Sequence, residues 1–216
     1  MRGTRATSQA IVLTEAVAEP RSELLLLTKR AALVALGVAV LAFAAKVQVQ
    51  MWPSPVPITL GTFAVLSIGA AYGPRLGLMT IIAYMAIGAL GYDVFASSSA
   101  EHNGLAYMLG GTGGYLLGYV LAVAALGWFA RRGWDRNVLW MGVAMLIGTA
   151  LIYAPGVAWL HHLVETGLFN ADKFATPWSQ TLAWGLTPYL IGDALKLALA
   201  ALVFPLAWRL VGDARA

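Results

Sequence analysis

From residue 24 onward, long apolar stretches alternate with short breaks that are polar or rich in glycine and proline. A helix needs roughly 20 mostly apolar residues to cross the hydrocarbon core of a bilayer, so these stretches predict transmembrane helices. The pattern predicts six crossings, over residues 24–49, 58–72, 76–92, 113–130, 138–163 and 182–211. The predicted fold class is therefore an all-α integral membrane protein with six transmembrane helices.

The second predicted crossing, 58–72, is the shortest. Its length corresponds to about 22 Å at 1.5 Å per residue, which is less than the hydrocarbon thickness of about 30 Å. The preceding residues 50–57 contain three prolines and also Trp52, which could close a pocket or belong to an interfacial aromatic belt. We expect residues 50–57 to enter the membrane as non-helical backbone, which is tolerated where protein shields it or where it lines a cavity.

The composition agrees with a chain embedded in lipid. Hydrophobic residues make up 60% of the sequence and charged residues 11%, against roughly 25% charged residues in soluble domains. The sequence contains no cysteine. This absence excludes a disulfide framework, a zinc–thiolate site and a cysteine nucleophile.

Lysine and arginine near the predicted helix ends are unequally divided between the two sides of the membrane. With six crossings, nine fall on one side and only Lys46 and Lys173 on the other. Positively charged loops stay in the cytoplasm, so both termini are predicted to be cytoplasmic. The longer loops, where binding sites tend to occur, are then outside. Scattered charges of this kind also argue against a nucleic-acid partner, which would require one basic patch.

The two ends of the chain are predicted to lie outside the membrane domain. Residues 1–23 are polar, mixed in charge and without periodicity, so we expect a flexible cytoplasmic tail, with a second short tail over 212–216. A signal peptide is not expected, because the first apolar segment is long, begins late and lacks a clear cleavage site. The predicted membrane domain is 24–211.

Asp193 and Lys196 are ionisable residues inside the sixth predicted crossing, about eleven and fourteen residues from its start. Charged side chains at a helix centre cost roughly 2.5 to 3.5 kcal/mol each on insertion scales, so they must face protein or water. Their spacing places them on one helix face, together with Tyr189. This polar line predicts a binding site for a small polar solute. The alternatives are an internal ion pair that only fixes packing, or a lysine that reaches the interface.

A glycine-rich run over residues 110–115 opens the fourth predicted crossing and contains Thr112 and Gly114. Such a turn at a helix N-terminus can present free N–H groups to an anionic or polar ligand. It lacks the lysine of a nucleotide-binding P-loop. The alternative is that the glycines only allow a tight turn and close packing.

The first predicted crossing carries Ala31, Ala35 and Ala39 at four-residue spacing. A stripe of small residues lets another helix approach closely in lipid. The stripe predicts either a docking face for a partner or packing against neighbouring helices of the same chain.

The sequence contains no recognisable enzyme or metal motif. We find no zinc-protease, nucleophile-elbow or Walker A pattern, and therefore predict no catalytic residue, no metal and no cofactor. His161, His162 and Glu165 are read as a solvated loop edge, because adjacent histidines do not share a helix face. A membrane protein that binds a solute and has no nucleotide site needs a separate energy source for uptake.

Five segments, taken in order, resemble the biotin-specific S components (BioY family) of energy-coupling factor transporters. Each segment is weak by itself, but together they cover about residues 30 to 211. They are PVPITLGT at 55–62, GPRLG at 73–77, GALGYDVF at 88–95, GTGGYLLGY at 111–119 and GDALK at 192–196.

The resemblance implies a multi-pass protein of the inner (cytoplasmic) membrane that captures biotin from outside. It implies as partners a transmembrane T component, docked on Ala31, Ala35 and Ala39, and two ABC-type ATPase subunits. By the same resemblance, Asp193 and Lys196 are polar contacts to the vitamin. We further expect Tyr84, Tyr115 and Tyr189 to supply walls and hydrogen bonds around it.

Two features depart from this pattern. Gly61 stands where the resemblance leads us to expect glutamine, and the loop after Phe95 is unusually polar. Two alternatives to a biotin subunit are therefore kept, an S component for another small vitamin and a structural membrane subunit without a solute site.

Overall fold

The computed structural model describes residues 10–17, 22–49, 54–99, 102–169 and 174–213. Within these ranges the chain forms eight helices and one pair of short antiparallel strands, β1 (Gln48–Val49) and β2 (Ile58–Thr59). The helices are α1 (Leu13–Val17), α2 (Glu23–Lys46), α3 (Gly61–Ala89), α4 (Gly104–Met108), α5 (Gly113–Ala130), α6 (Val138–Glu165), α7 (Pro177–Gly185) and α8 (Leu190–Asp213). The predicted all-helical membrane architecture is confirmed.

Five helical segments of the described chain are long and apolar enough to cross a membrane. Four are α2, α3, α5 and α6, and the fifth joins α7 and α8 over 177–212. The two crossings predicted at 58–72 and 76–92 both fall within α3. They are separated inside α3 by a break in the helix.

The break in α3 lies at Gly73, whose backbone is extended and left-handed, with φ of 76° and ψ of 178°. Pro74 follows and cannot donate the backbone hydrogen bond that a continuous helix would need. A Cβ atom placed on Gly77 would lie 3.6 Å from the Cα of Gly69. Residues eight apart in a straight helix are about 12 Å apart, so the chain folds back at Gly73.

Helix α5 is packed tightly between α3 and α6. A Cβ atom on Gly69 would lie 3.1 Å from the Cα of Val123, and one on Gly118 would lie 2.6 Å from the Cα of Ile152. Glycine at such positions allows helix backbones to approach closely in a membrane bundle. These contacts explain why α5 carries much of the buried core.

The helix predicted over 182–211 is broken near its start. The apolar run over 182–211 is interrupted at Leu186, which has non-helical angles, and at Pro188. The segment therefore consists of α7, a 3₁₀ turn over 187–189 and α8. Hydropathy alone could not show this break, because leucine and proline interrupt the helix without lowering the apolar character of the run.

The predicted non-helical stretch 50–57 is described only in part. Ser54 to Pro57 are indeed non-helical, between β1 and β2, while 50–53, including Trp52, lie outside the described residues. Residues 1–9, 18–21 and 214–216 of the predicted tails also lie outside them.

The N-terminal segment 10–17 differs from the flexible tail that we expected. Val12 is fully buried, and a Cβ atom on Gly73 would lie 3.2 Å from it. Glu15 forms an ion pair with Arg131 at 2.5 Å, which holds the pKa of Glu15 below its ordinary value against the opposing effect of burial. The segment therefore packs against the turn at Gly73 and the end of α5.

Candidate functional site

A cavity opens at the end of the bundle where α2 and α6 finish and where α3, α5 and α8 begin. The cavity is a narrow cleft with a volume of about 60 Å³. Its lining is mostly apolar and aromatic with a few polar groups, as is typical of small-molecule sites. The lining includes Thr112, directly before α5, and residues on α3, α5, α6 and α8, among them Gly61, Thr62, Tyr84, Tyr115, Tyr119, Tyr153, Asp193 and Lys196.

Asp193 and Lys196 meet at the base of this cavity. The Lys196 ammonium donates to Asp193 Oδ1 at 2.9 Å, to the carbonyl oxygen of Thr59 at 2.8 Å and to Thr62 Oγ1 at 3.2 Å. The Tyr153 hydroxyl donates to the second carboxylate oxygen, Asp193 Oδ2. Only 10% of the Asp193 side chain and 17% of the Lys196 side chain are exposed. Since an ammonium has three protons, those of Lys196 are fully used within the protein.

The break before α8 determines where this pair lies along its helix. Because α8 begins at Leu190, Asp193 is in its first turn and Lys196 in the next, instead of at a helix centre as the predicted crossing 182–211 implied. A carboxylate in the first turn interacts favourably with the positive end of the helix dipole. The start of α8 therefore offsets part of the free-energy cost of burying the Asp193 carboxylate.

The three tyrosines predicted from the sequence all line the cavity, but their hydroxyl groups are bonded to backbone. Tyr84 donates to the carbonyl of Val94 at 3.0 Å, and Tyr115 donates to that of Gly185 at 2.7 Å. The Tyr189 hydroxyl lies 2.6 Å from the carbonyl oxygen of Val56 and 2.8 Å from that of Trp184. These residues form walls and tie neighbouring loops to the helices.

The two members of the glycine-rich run have different environments. Thr112 lines the cavity. Gly114 instead packs against α6, where its Cβ position lies 3.0 Å from the Cα of Gly156 and also contacts Pro155. Gly114 is not among the lining residues, so its placement corresponds to the close-packing alternative.

Several lining residues were not singled out from the sequence, chiefly Tyr153, Thr62 and Tyr119. Tyr153 is a hydrogen-bonding side chain well inside a long apolar segment, and that signal could have identified it. Thr62 and Tyr119 belong to segments that carry the family resemblance, but nothing in their spacing points to Lys196 or to the cavity.

A loop over 93–99 forms the outer wall of the cavity. Phe95 is buried, stacks on Tyr107 with ring centroids 5.0 Å apart, and lies against Gly88. Asp93 anchors the loop through an ion pair with Lys46 at the end of α2, 2.5 Å long, and accepts from Ser98 at 2.6 Å. The hydrogen bond from Lys46 holds the pKa of Asp93 below its ordinary value.

Ala31, Ala35 and Ala39 are all exposed on one face of α2, away from the cavity. Ala39 also borders an apolar groove between α2 and the first half of α3, where Phe43, Phe63 and Ala71 are among the lining residues. In the described part of the chain, no three histidine, cysteine or acidic side chains are grouped as a metal would require. His161 instead contacts Glu165 at 3.3 Å and stacks on Trp178.

Comparison with known proteins gives one consistent result. The profile of the BioY family matches residues 13–213. "Probable biotin transporter BioY" of Pyrococcus horikoshii is 35% identical over 177 residues, covering 81% of this chain and 93% of the relative. "Biotin transporter BioY" of Thermotoga maritima is 30% identical over 165 residues, covering 74% of this chain and 88% of the relative.

A solved structure shares the fold. The crystal structure of "the S-component for biotin from an ECF-type ABC transporter" superposes with a TM-score of 0.70 at 20% sequence identity. The match covers 89% of this chain and 95% of the other.

Proposed function

The chain belongs to the BioY family, and we propose that it is the biotin-binding membrane subunit, or S component, of an energy-coupling factor transporter. The observation that carries this proposal is the cavity with Asp193, Lys196 and Tyr153 at its base and aromatic walls above them. Family membership supplies the ligand, since relatives that cover most of the chain are named biotin transporters. A transporter subunit of this kind is not an enzyme, in agreement with the absence of catalytic motifs.

Biotin suits the chemistry of this cavity. It joins an apolar bicycle to a ureido group that both donates and accepts hydrogen bonds, and it carries a carboxylate on a flexible chain. The Asp193 carboxylate can accept from the ureido N–H groups with lone pairs not used by Lys196 and Tyr153. The tyrosine rings offer apolar walls for the bicycle. We propose that binding needs no cofactor.

We propose that the cavity opens to the outside of the inner membrane. The turn at Gly73, the loop after α5 and the end of α8 lie at the opposite end of the bundle and carry Arg75, Arg131, Arg132, Arg136 and Arg209. Basic loops of this kind remain in the cytoplasm. The fold-back at Gly73 lets α3 supply two crossings, which makes six in total and brings both termini to the cytoplasmic side.

We propose that uptake is powered by a transmembrane T component with two ABC-type ATPase subunits, docked through the face of Ala31, Ala35 and Ala39. Exposed small side chains at four-residue spacing allow a partner helix to approach closely in lipid. The solved structure with this fold is itself an S component of such a transporter.

The direct test is equilibrium binding of labelled biotin to the purified, detergent-solubilised chain, with desthiobiotin and lipoate as competitors. We expect saturable binding that desthiobiotin displaces better than lipoate, because desthiobiotin keeps the ureido group. Preference for another vitamin would leave an S component with a different ligand. The absence of any saturable binding would favour a structural subunit and contradict the proposal.

A further inference from the structure

Most of the strong hydrogen-bond donors in the cavity are already engaged within the protein. Lys196 uses its three protons on Asp193, Thr59 and Thr62, and Tyr153 donates to Asp193. Tyr84, Tyr115 and Tyr189 bond to backbone carbonyls. A ligand that needs a donor from any of these groups must first displace an existing partner.

The hydroxyl group of Tyr119 differs from those of the other lining tyrosines. Tyr119 lies on α5 and lines the cavity, and within the described part of the chain its hydroxyl has no hydrogen-bond partner. Gly61, at the start of α3, lies close to this hydroxyl. A Cβ atom placed on Gly61 would lie 3.3 Å from the Tyr119 hydroxyl oxygen and 3.0 Å from Thr59 Oγ1.

The open position on Gly61, where a Cβ atom would stand, is thus close to two hydroxyl groups. Thr59 Oγ1 accepts from the Gly61 amide at 2.9 Å, so its own proton is available for another partner. Any side chain at position 61 would fill the space between the two oxygens. With glycine there, a ligand atom can approach the backbone and reach both hydroxyl protons.

This arrangement suits a neutral acceptor better than a charged one. Thr59 also binds Lys196 through its carbonyl oxygen, so the two hydroxyls adjoin the Asp193–Lys196 pair. A ligand carboxylate placed here would come close to the Asp193 carboxylate and find no free Lys196 proton to offset the repulsion. A carbonyl oxygen has two lone pairs and no charge, and it matches two neutral donors.

We propose that Tyr119, Thr59 and Gly61 form a subsite for the ureido carbonyl oxygen of biotin, with Tyr119 as the principal donor. This inference rests on the proposed function and assigns the orientation of the ligand. The ureido ring lies at the base of the cavity, where Asp193 accepts from its N–H groups, and the carboxylate points away from Lys196. Tyr119 is then a specificity-determining residue of the site.

The test compares biotin with 2-thiobiotin, in which a weakly accepting sulfur replaces the ureido oxygen. Tyr119→Phe removes only the hydroxyl group. We expect this substitution to weaken biotin binding about tenfold, the value of one net hydrogen bond, and 2-thiobiotin binding less than about twofold. Tyr72→Phe is the matched control, because the Tyr72 hydroxyl bonds to the Leu33 carbonyl outside the cavity, and we expect both affinities to be unchanged.

A second variant, Gly61→Ala, tests whether the ligand occupies the open space beside Gly61. The added methyl group would fill that space, so we expect biotin binding to weaken by at least tenfold. Unchanged biotin affinity in Tyr119→Phe, or an equal loss for both ligands, would overturn the subsite while leaving the proposed function intact. If the wild-type chain binds no biotin, the function and the subsite fail together. Dissociation constants measured by titration refer to folded, binding-competent protein, so partial misfolding of a variant does not hide the result.

Discussion

At the scale of single residues, the Asp193–Lys196 pair raises the question of whether two buried charges serve binding or only packing. Removing one member of a buried pair leaves an uncompensated charge, whereas replacing both by neutral groups of similar size is often tolerated. Stability and binding should therefore respond differently to single and double substitution if the pair serves the ligand.

We expect Lys196→Met to lower the unfolding midpoint and to weaken biotin binding at least tenfold, because Asp193 loses its ammonium partner. The double variant Asp193→Asn with Lys196→Met should recover most of the stability but not the binding. Thermal unfolding in detergent and titration with labelled biotin measure the two effects. Arg75→Met, which replaces an exposed charge at the other end of the bundle, is the control. Full binding by the double variant would show that the pair has only a packing role.

Asp135 is a second buried carboxylate, placed between α5 and α6 outside the membrane-spanning segments. Trp208 donates to its Oδ2 at 2.5 Å, while Oδ1 has no partner in the described part of the chain. Burial raises the pKa of Asp135 to about 6, although the bond from Trp208 opposes this. Above pH 6 the folded protein holds a charged carboxylate in a buried position, which lowers the free energy of unfolding. As the pH falls from above 6 toward 4, Asp135 becomes protonated in the folded protein and this destabilisation is relieved.

We therefore expect Asp135→Asn to raise the unfolding midpoint at pH 7.5 by roughly 5 °C and to reduce its pH dependence between 7.5 and 5. Asparagine keeps an acceptor for Trp208 and removes the charge. Asp93→Asn is the contrasting control, because the pKa of Asp93 is lowered by Lys46 and its ion pair stabilises the fold above its ordinary titration range. A lower midpoint for Asp135→Asn at pH 7.5 would contradict this account.

Residue types and spacing could identify part of the site from the sequence. Asp193 and Lys196 stood out because charges are rare in apolar helices, and the structure does bring them together in the cavity. The sequence could not show that the hydroxyl groups of Tyr84, Tyr115 and Tyr189 donate hydrogen bonds to backbone carbonyls while that of Tyr119 does not. That difference depends on which backbone carbonyl lies within reach of each hydroxyl, and long-range contacts of this kind leave no local pattern.

At the scale of elements, the close approach of α5 to the turn at Gly73 fixes the shape of the bundle. A Cβ atom on Gly127 would lie 2.5 Å from the carbonyl carbon of Gly73 and would also collide with Pro74. Backbone atoms cannot move aside as a flexible side chain can. By contrast, a Cβ atom on Gly142 in α6 would meet nothing nearer than 3.9 Å.

We expect Gly127→Ala to lower the unfolding midpoint by several degrees, because the added methyl group must push the α3 turn away from α5. Gly142→Ala should be neutral or slightly stabilising, since alanine is the better helix former by about 1 kcal/mol. The pair is compared by thermal unfolding of the purified proteins. Equal midpoints for the two variants would show that the α3 turn does not pack on α5 as described.

The boundaries of the elements were only partly predictable. The Gly73-Pro74 signal correctly placed an interruption between the second and third apolar runs, because proline and left-handed glycine act locally. The break within the predicted crossing 182–211 was not predicted, since Ser54 and Tyr189, which donate to the carbonyl oxygen of Trp184 beside it, are not identified by the apolar pattern. The helix of the N-terminal segment was missed because it is held by contacts to distant parts of the chain, from Glu15 to Arg131 and from Thr14 to the carbonyl of Ala71, instead of by its own periodicity.

At the scale of the whole molecule, charge and cavity are placed at opposite ends of the bundle. The cavity lies where α5 and α8 begin, and the arginine-rich loops lie where they end. If the basic end is cytoplasmic, the cavity receives its ligand from outside, and cytoplasmic ATPase subunits would lie at the opposite end of the bundle. The direction of uptake is thus linked to the distribution of a few arginine residues.

The absence of native cysteine makes this arrangement directly testable, because each introduced cysteine is the only thiol in the chain. Ser99 and Thr166 are exposed near the cavity end, and Arg75 and Arg132 are exposed at the basic end.

In intact cells, a membrane-impermeant maleimide should label Ser99→Cys and Thr166→Cys but not Arg75→Cys or Arg132→Cys. After the cells are opened, all four should react, which controls for folding and exposure. Labelling of Arg75→Cys from outside would mean that the turn at Gly73 is exposed on the outer side of the membrane. The positive end would then no longer be uniformly cytoplasmic, and the proposed six-crossing topology would fail even if biotin binding were intact.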